Sequence, residues 1–105
     1  MVERLYFGRN IGDSLAVTDS AWDAFLAEVV TPRFPSGLTV WSARGQWRDA
    51  AGRVEREPSF VLEIVHGSRA PDVEAALAGI VAEYKRRFRQ EAVLRVVSPA
   101  QVAHD

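Results

Sequence analysis

Two stretches of helical periodicity separate four stretches of strand periodicity, and their order limits the fold. The strand patterns cover residues 3–10, 38–48, 53–66 and 92–97, and the helical patterns cover residues 19–30 and 71–88. The chain therefore has the order β-α-β-β-α-β. Short, right-handed connections favour the ferredoxin-like split-βαβ arrangement, an α+β fold in which a four-stranded antiparallel sheet carries two helices on one face. The predicted spatial order is fourth, first, third and second strand.

The limits of the two helices follow from a few residues. Pro71 suits the first turn of a helix, where its missing N–H is not needed, and apolar side chains then recur at helical spacing as far as Phe88. The first helix has Thr18 as a candidate N-cap. We expect this helix to end at Val30, because Pro32 stops its propagation.

Composition predicts one globular domain and excludes several classes of protein. The 105 residues are 48% apolar and carry a formal charge of −1, so residues 1–105 form one domain without the basic field that nucleic acid requires. The absence of cysteine excludes disulfides and thiolate metal sites. No stretch resembles a signal peptide or a membrane span, and no metal-binding or cofactor-binding motif occurs. We expect no metal, no cofactor, no nucleic acid and no membrane.

The predicted fold leaves one sheet face uncovered by helices. The alternating pattern assigns the following residues to this open face: Tyr6, Gly8, Asn10, Trp41, Val61, Glu63, Val65, Val93, Arg95 and Val97. A surface this apolar needs a cover. The first interpretation is a homodimer in which two open faces enclose a pocket for a small anionic or aromatic metabolite.

Three residues of the open face would give such a pocket acid–base chemistry. A half-buried Glu63 could act as a base, Tyr6 could donate to a developing oxyanion, and Arg95 could anchor a carboxylate. This hypothesis describes a cofactor-free enzyme for proton transfer or rearrangement. The alternative is that Glu63 and Arg95 form an ion pair across the dimer interface.

His66 is the other candidate base. It lies at the end of the third strand on the predicted helix-facing side, and histidine titrates near neutral pH. No second histidine or carboxylate stands at metal-ligand spacing from it. The alternative is a hydrogen-bonded, structural histidine at the end of a strand.

Ligand-binding candidates stand near strand ends and on the hairpin. Arg9 and Arg48 suit an anion, because a guanidinium binds carboxylate or phosphate through two donors. Trp41 could stack on a planar ligand. The alternatives are ion pairs with acidic residues of the hairpin and, for Trp41, a place in an interface.

A non-catalytic interpretation competes with the enzyme. The open face could dock on itself or on another protein, and in that case Trp41 and the valines around it would dominate binding. Whether the protein is an enzyme is left open by the sequence.

Several short strings occur together in one order. They are Leu5-Tyr6-Phe7-Gly8-Arg9, Thr31-Pro32-Arg33-Phe34-Pro35, Gly37-Leu38-Thr39-Val40, Gly45-Gln46-Trp47-Arg48, Arg56-Glu57-Pro58-Ser59, Tyr84-Lys85 and Val93-Leu94-Arg95-Val96. Together they resemble a bacterial family catalogued as domain of unknown function 3574, over nearly the whole chain. The resemblance implies a domain and brings no activity. Members often carry an export signal, whereas this sequence begins almost at its first strand, so we expect a cytoplasmic protein, or an exported one if a signal has been removed.

Overall fold

The predicted order of strands and helices is confirmed. The computed structural model describes residues 1–67 and 71–105. Its elements are β1 (Val2–Gly8), β2 (Asn10–Ile11), β3 (Ser14–Leu15), α1 (Asp19–Phe25), a π-helical turn (Leu26–Val30), α2 (Thr31–Arg33), β4 (Thr39–Arg48), β5 (Val54–Val65), α3 (Pro71–Phe88) and β6 (Leu94–Ser98). The short pair β2–β3 was not predicted.

The main sheet has the predicted topology. Four strands pair antiparallel in the order β4-β5-β1-β6, which is the order second, third, first and fourth among the predicted strands. Leu5 lies opposite Leu62, and both are buried against the helices. Tyr6 lies opposite Val61 on the other face. We call these two sides the helix-facing side and the open face.

Aromatic side chains fill the core between sheet and helices. The rings of Phe7 and Tyr84 are 4.6 Å apart, and Trp22 stacks on Phe60 at 4.5 Å. The hydroxyl of Tyr84 donates to the carbonyl of Gly8 at 2.6 Å, where β1 ends. Burial raises the pKa of Tyr84, so the hydroxyl stays protonated as a donor. This bond ties α3 to the point where β1 leaves the sheet.

The first helical stretch continues past Pro32 to Arg33, so the predicted end at Val30 is wrong. A π-helical turn precedes Pro32, and the N–H of Thr31 donates to a carbonyl five residues earlier. The wider turn accommodates a residue that has no N–H for the α-helical bond. The guanidinium of Arg33 donates to the carbonyl of Val29 at 2.8 Å. The helix is therefore extended by a change of spacing and a side-chain bond.

The register of β6 corrects the predicted open face. Arg95 lies opposite Leu5 and Val97 opposite Glu3, so both residues belong to the helix-facing side. Leu94 and Val96 take their place on the open face. A strand with apolar residues at both parities leaves its register undetermined, and a slip of one residue exchanges the two faces.

Candidate functional site

The most unusual residue of the sheet is a buried carboxylate. The alternation of β1 turns Glu3 to the same side as Leu5 and Phe7, and only 3% of its surface is exposed. Its neighbour on β5 is Ile64. A charged group in such surroundings is costly unless hydrogen bonds replace its water.

Both oxygens of Glu3 have a partner. His66 Nε2 lies 2.9 Å from Glu3 Oε2, and Arg95 Nε donates to Glu3 Oε1 at 2.8 Å. The two remaining guanidinium nitrogens of Arg95 donate to the carboxylate of Glu74 on α3, at 2.7 and 2.8 Å. We call these four residues the Glu3 network. It connects β1, β6, α3 and the residue that follows β5.

These bonds keep Glu3 ionised. Burial alone would raise the pKa of this carboxyl, but the hydrogen bonds and charges of Arg95 and His66 outweigh it, and the pKa is lowered. Hydrogen bonds to Glu74 and then Glu3 raise the pKa of Arg95, which stays a cation. The network is therefore a chain of charged groups held at fixed positions.

The ionised carboxylate determines the tautomer of His66. A carboxylate only accepts hydrogen bonds, so the proton on Nε2 is the one that the ring donates to Glu3. Nδ1 of the neutral ring then carries a lone pair. This nitrogen is buried and has no hydrogen-bond partner in the part of the chain that the structure describes. His66 thus has one nitrogen bonded to Glu3 and one buried nitrogen without a partner among the described residues.

A cleft borders His66 at the end of the sheet. Its volume is about 660 Å³. The walls come from residues 33–39, the end of β5, the first turns of α3 and the C-terminal tail. The lining includes Arg33, Phe34, Leu38, Glu63, Val65, His66 and Val73. We call this the sheet-end cleft. It brings together Glu63 and His66, two of the three predicted catalytic residues.

The third predicted catalytic residue lies elsewhere. Tyr6 sits on the open face between Val61 and Leu94, and it does not line the sheet-end cleft. Glu63 is also on the open face, where Arg4 Nε donates to its Oε1 at 3.0 Å. Because Arg95 lies on the opposite side, the predicted cluster of Tyr6, Glu63 and Arg95 is wrong.

The predicted ligand-binding arginines and tryptophan are not brought together. Arg9 donates to the Val17 carbonyl at 2.9 Å and to Asp19 at 2.7 Å, with its guanidinium 4.4 Å from the centre of the Phe60 ring. These contacts make Arg9 a clamp between β1 and the start of α1. Trp41 is 41% exposed on the open face. Arg48 is exposed at the end of β4, far along the strand from the cleft.

Sequence reasoning missed Glu3, the residue on which the network depends. The available signal was its parity, since Glu3 continues the alternation of Leu5 and Phe7 and so had to be buried with them. Its partners could not be found without the register of β6. Within residues 1–67 and 71–105, no group of three or more His, Asp or Glu side chains is placed to hold a metal ion.

The sequence matches a family model over residues 2–104, described as Protein of unknown function (DUF3574). The chain belongs to this family. No curated protein matches the DUF3574 chain significantly. Among its described helices, none is long and apolar enough to cross a membrane.

Solved structures similar to this DUF3574 chain support the ferredoxin-like fold. A phage SAM lyase in the apo state has a TM-score of 0.66 and 20% identity, covering 90% of this chain and 75% of the lyase. The same values hold for a phage SAM lyase in complex with S-methyl-5'-thioadenosine, with 76% of that chain covered. The periplasmic divalent cation tolerance protein CutA from Archaeoglobus fulgidus has a TM-score of 0.59 and 9% identity, covering 99% of this chain and 88% of CutA. At these identities the likeness concerns the fold alone.

Proposed function

We propose that this protein binds a small metabolite in the sheet-end cleft and that His66 exchanges a proton with it. The observation that carries the proposal is the 2.9 Å hydrogen bond between His66 Nε2 and the buried carboxylate of Glu3. A carboxylate in this position orients an imidazole and stabilises its protonated form.

The Glu3 network determines which nitrogen of His66 would accept a proton. His66 Nε2 holds its proton against Glu3, so the ring accepts a second proton at Nδ1. The imidazolium that results faces the negative charge of Glu3, which lowers the cost of forming it. Nδ1 is buried, so we infer that a ligand reaches it only when the lining of the cleft opens toward this nitrogen.

Glu63 has a different role in this proposal. Its carboxylate lines the cleft, but a hydrogen bond from Arg4 already occupies one oxygen. We therefore assign Glu63 to anchoring a polar group of the ligand and His66 to the proton transfer. The pair would act without a cofactor.

The lining of the cleft suggests the class of ligand. Phe34, Leu38 and Val73 supply apolar walls, and Arg33 adds a cation at one side. A planar or aromatic group fits such walls, and an anionic group fits the guanidinium. The ligand that we propose is a small metabolite with one or both of these features.

The phage SAM lyase supplies a first probe. Its structure in complex with S-methyl-5'-thioadenosine is a related fold that holds a small aromatic ligand. We propose to test that nucleoside together with a panel of aromatic carboxylates. Amide chemical shifts of the labelled protein identify both the ligand and its place.

The expected result is a set of shifts confined to the sheet-end cleft and abolished in His66→Ala. Tyr6→Phe is the matched control, because Tyr6 lies outside the cleft. Binding that persists in His66→Ala, or shifts restricted to the open face, would overturn the assignment of the cleft. Any reaction found with the bound ligand should be lost in His66→Gln and retained in Tyr6→Phe.

The open face supports a second part of the proposal, a homodimer. Four of its apolar side chains remain well exposed: Trp41 at 41%, Val65 at 48%, Leu94 at 62% and Val96 at 39%. The cleft includes Glu63 and Val65, so a second copy on this face would extend one wall of the cleft. We propose that two open faces meet, with Tyr6 and Trp41 in the interface.

Sedimentation tests the dimer separately from the cleft. Leu94→Glu places a charge on the most exposed of these four apolar residues and should yield a monomer, whereas Glu91→Lys, before β6, should not. A dimer that binds no ligand and loses no function in His66→Ala would favour the alternative, an interaction module without catalysis. A wild-type monomer at high concentration would contradict the dimer.

A further inference from the structure

The strand β4 forms an edge of the sheet. Among the described residues it pairs only with β5, in an unbroken register from Thr39 opposite Glu63 to Arg48 opposite Val54. Pairing of β5 with β1 ends at Ser59, so residues 44–58 continue as a two-stranded ribbon. We call this ribbon the outer hairpin. Its outer strand presents unpaired backbone donors and acceptors over most of its length, a geometry to which another chain can add.

Three exposed arginines lie on one side of the outer hairpin. Arg44 and Arg48 flank Gln46 on β4, and Gln46 lies opposite Arg56 on β5. Even-numbered positions share a face here, since successive side chains alternate. We call Arg44, Arg48 and Arg56 the arginine strip. Within the described ranges, none of the three forms an ion pair, whereas Arg9, Arg87 and Arg95 each bind a carboxylate.

The acidic residues of the hairpin are engaged away from this strip. Asp49 lies in the turn, where its carboxylate accepts the N–H groups of Ala51 and Arg53, each at 2.9 Å. Glu55 and Glu57 have odd numbers and project from the opposite side. Glu57 is engaged there, because its carboxylate accepts the N–H of Asn10 at 3.0 Å. Like charges at neighbouring positions of a ladder repel each other, so an arginine strip without nearby acids lowers the stability of the isolated chain.

A second copy of this chain would not supply the missing acids. Antiparallel pairing of two β4 strands about a two-fold axis near their centre brings Arg44 opposite its own copy or diagonal to it. Either register concentrates arginines on one face with no carboxylate between them. Charge complementarity therefore favours a partner with acidic residues.

We propose that β4 accepts an extended acidic segment of a partner protein as an added strand, whose carboxylates bind Arg44 and Arg48. The added strand would bond to the free backbone edge of β4. The two arginines are four residues apart, which corresponds to about 13 Å along a strand, so they match acidic residues at the same spacing on one face of the partner. Arg56, one strand further in, adds to the attraction. This site is independent of the sheet-end cleft.

The test uses a short fluorescein-labelled peptide of alternating Glu and Val, with fluorescence anisotropy as the measurement. We expect binding at low ionic strength that the double variant R44E/R48E weakens by about tenfold or more. The matched control is K85E/R86E, which changes the net charge equally on exposed residues of α3 and should bind as the wild type does. Equal weakening in both variants would overturn the proposal, since only net charge would then matter.

Two further peptides test strand addition itself. Each is N-methylated at one of the two alternating sets of residues, so each loses the backbone donors of one edge only. One of them should lose binding by about tenfold or more, and the other should keep it, because an added strand uses a single edge. Unchanged binding of both would overturn strand addition. Failure of the peptide, together with binding of single-stranded oligothymidylate that requires Arg44 and Arg48, would instead assign the strip to nucleic acid.

Discussion

The two ends of the sheet treat charge in opposite ways. At the cleft end, Glu3 is buried and both of its oxygens accept hydrogen bonds from His66 and Arg95. At the hairpin end, Arg44 and Arg48 project from an exposed strand, and the ion pairs of the described residues do not include them. Charges paired inside the protein fix the position of His66, whereas unpaired surface charges are available to another molecule.

The largest expected effect comes from removing the cation of the Glu3 network. Arg95→Met leaves the buried Glu3 carboxylate with one partner fewer, and we expect a loss of about 3 kcal/mol in the free energy of unfolding. The same change at the hairpin end, Arg48→Met, should cost less than about 0.5 kcal/mol. Urea denaturation measures the free energy of unfolding of the two variants. Equal losses would contradict the difference between the two ends of the sheet.

The next prediction concerns the stability of the cleft end in acid, where Glu3 becomes protonated. The folded pKa of Glu3 is lowered, so its stabilisation is present above the ordinary glutamate pKa of about 4.3 and disappears as the pH falls through the folded value. The wild type should therefore exceed Glu3→Gln in stability at neutral pH, and the difference should vanish in acid. Thermal denaturation of both proteins over a range of pH provides the measurement. A difference that is independent of pH would contradict an ionised Glu3.

Tyr84 lies near the boundary between the two regions, where β1 ends. Tyr84→Phe removes the donor to the Gly8 carbonyl and should cost about 1 kcal/mol in the free energy of unfolding. Tyr6→Phe on the open face is the control, because it removes a hydroxyl without a comparable bond in the core. Chemical denaturation should distinguish Tyr84→Phe from Tyr6→Phe. The same small loss in both variants would show that the bond from Tyr84 to Gly8 does not stabilise this region.

The smallest effect has the opposite sign and belongs to the hairpin end. Burial, a hydrogen bond with Asp49 and the charge of Asp13 raise the pKa of Glu55. An ionised Glu55 therefore disfavours the folded state above its raised pKa, and the penalty is relieved as the pH falls through it. Glu55→Gln should be slightly more stable than the wild type at pH 7 and equal to it in acid. A less stable variant at pH 7 would show that Glu55 contributes a favourable contact.

The fold could be predicted because the alternation and the helical spacing agree along the chain. Leu5 and Phe7 in the first strand, and Phe60, Leu62 and Ile64 in the third, mark the apolar side that the structure places against the helices. The end of the first helix was wrong because a π-helical turn lets the helix pass Pro32, and periodicity does not report such a change of spacing.

Only part of the candidate site could be predicted from the sequence. His66 and Glu63 stood out by residue type and strand position, and the cleft brings them together. Arg95 was assigned to the wrong face because β6 is apolar at both parities, so only pairing with β1 determines its register. Glu3 was overlooked because a lone charge near a terminus suggests a solvated end, although its parity with Leu5 and Phe7 requires burial.

The most direct test of the account is the position of the proton on the neutral His66 ring, read from long-range proton–nitrogen NMR spectra at alkaline pH. The account predicts a proton on Nε2, a bare Nδ1, and a change at Nδ1 when a ligand enters the sheet-end cleft. The proton should lose this preference for Nε2 in Glu3→Leu and keep it in Tyr6→Phe. A proton on Nδ1 in the wild type would contradict the account, because Glu3 would then not hold His66 as a proton acceptor.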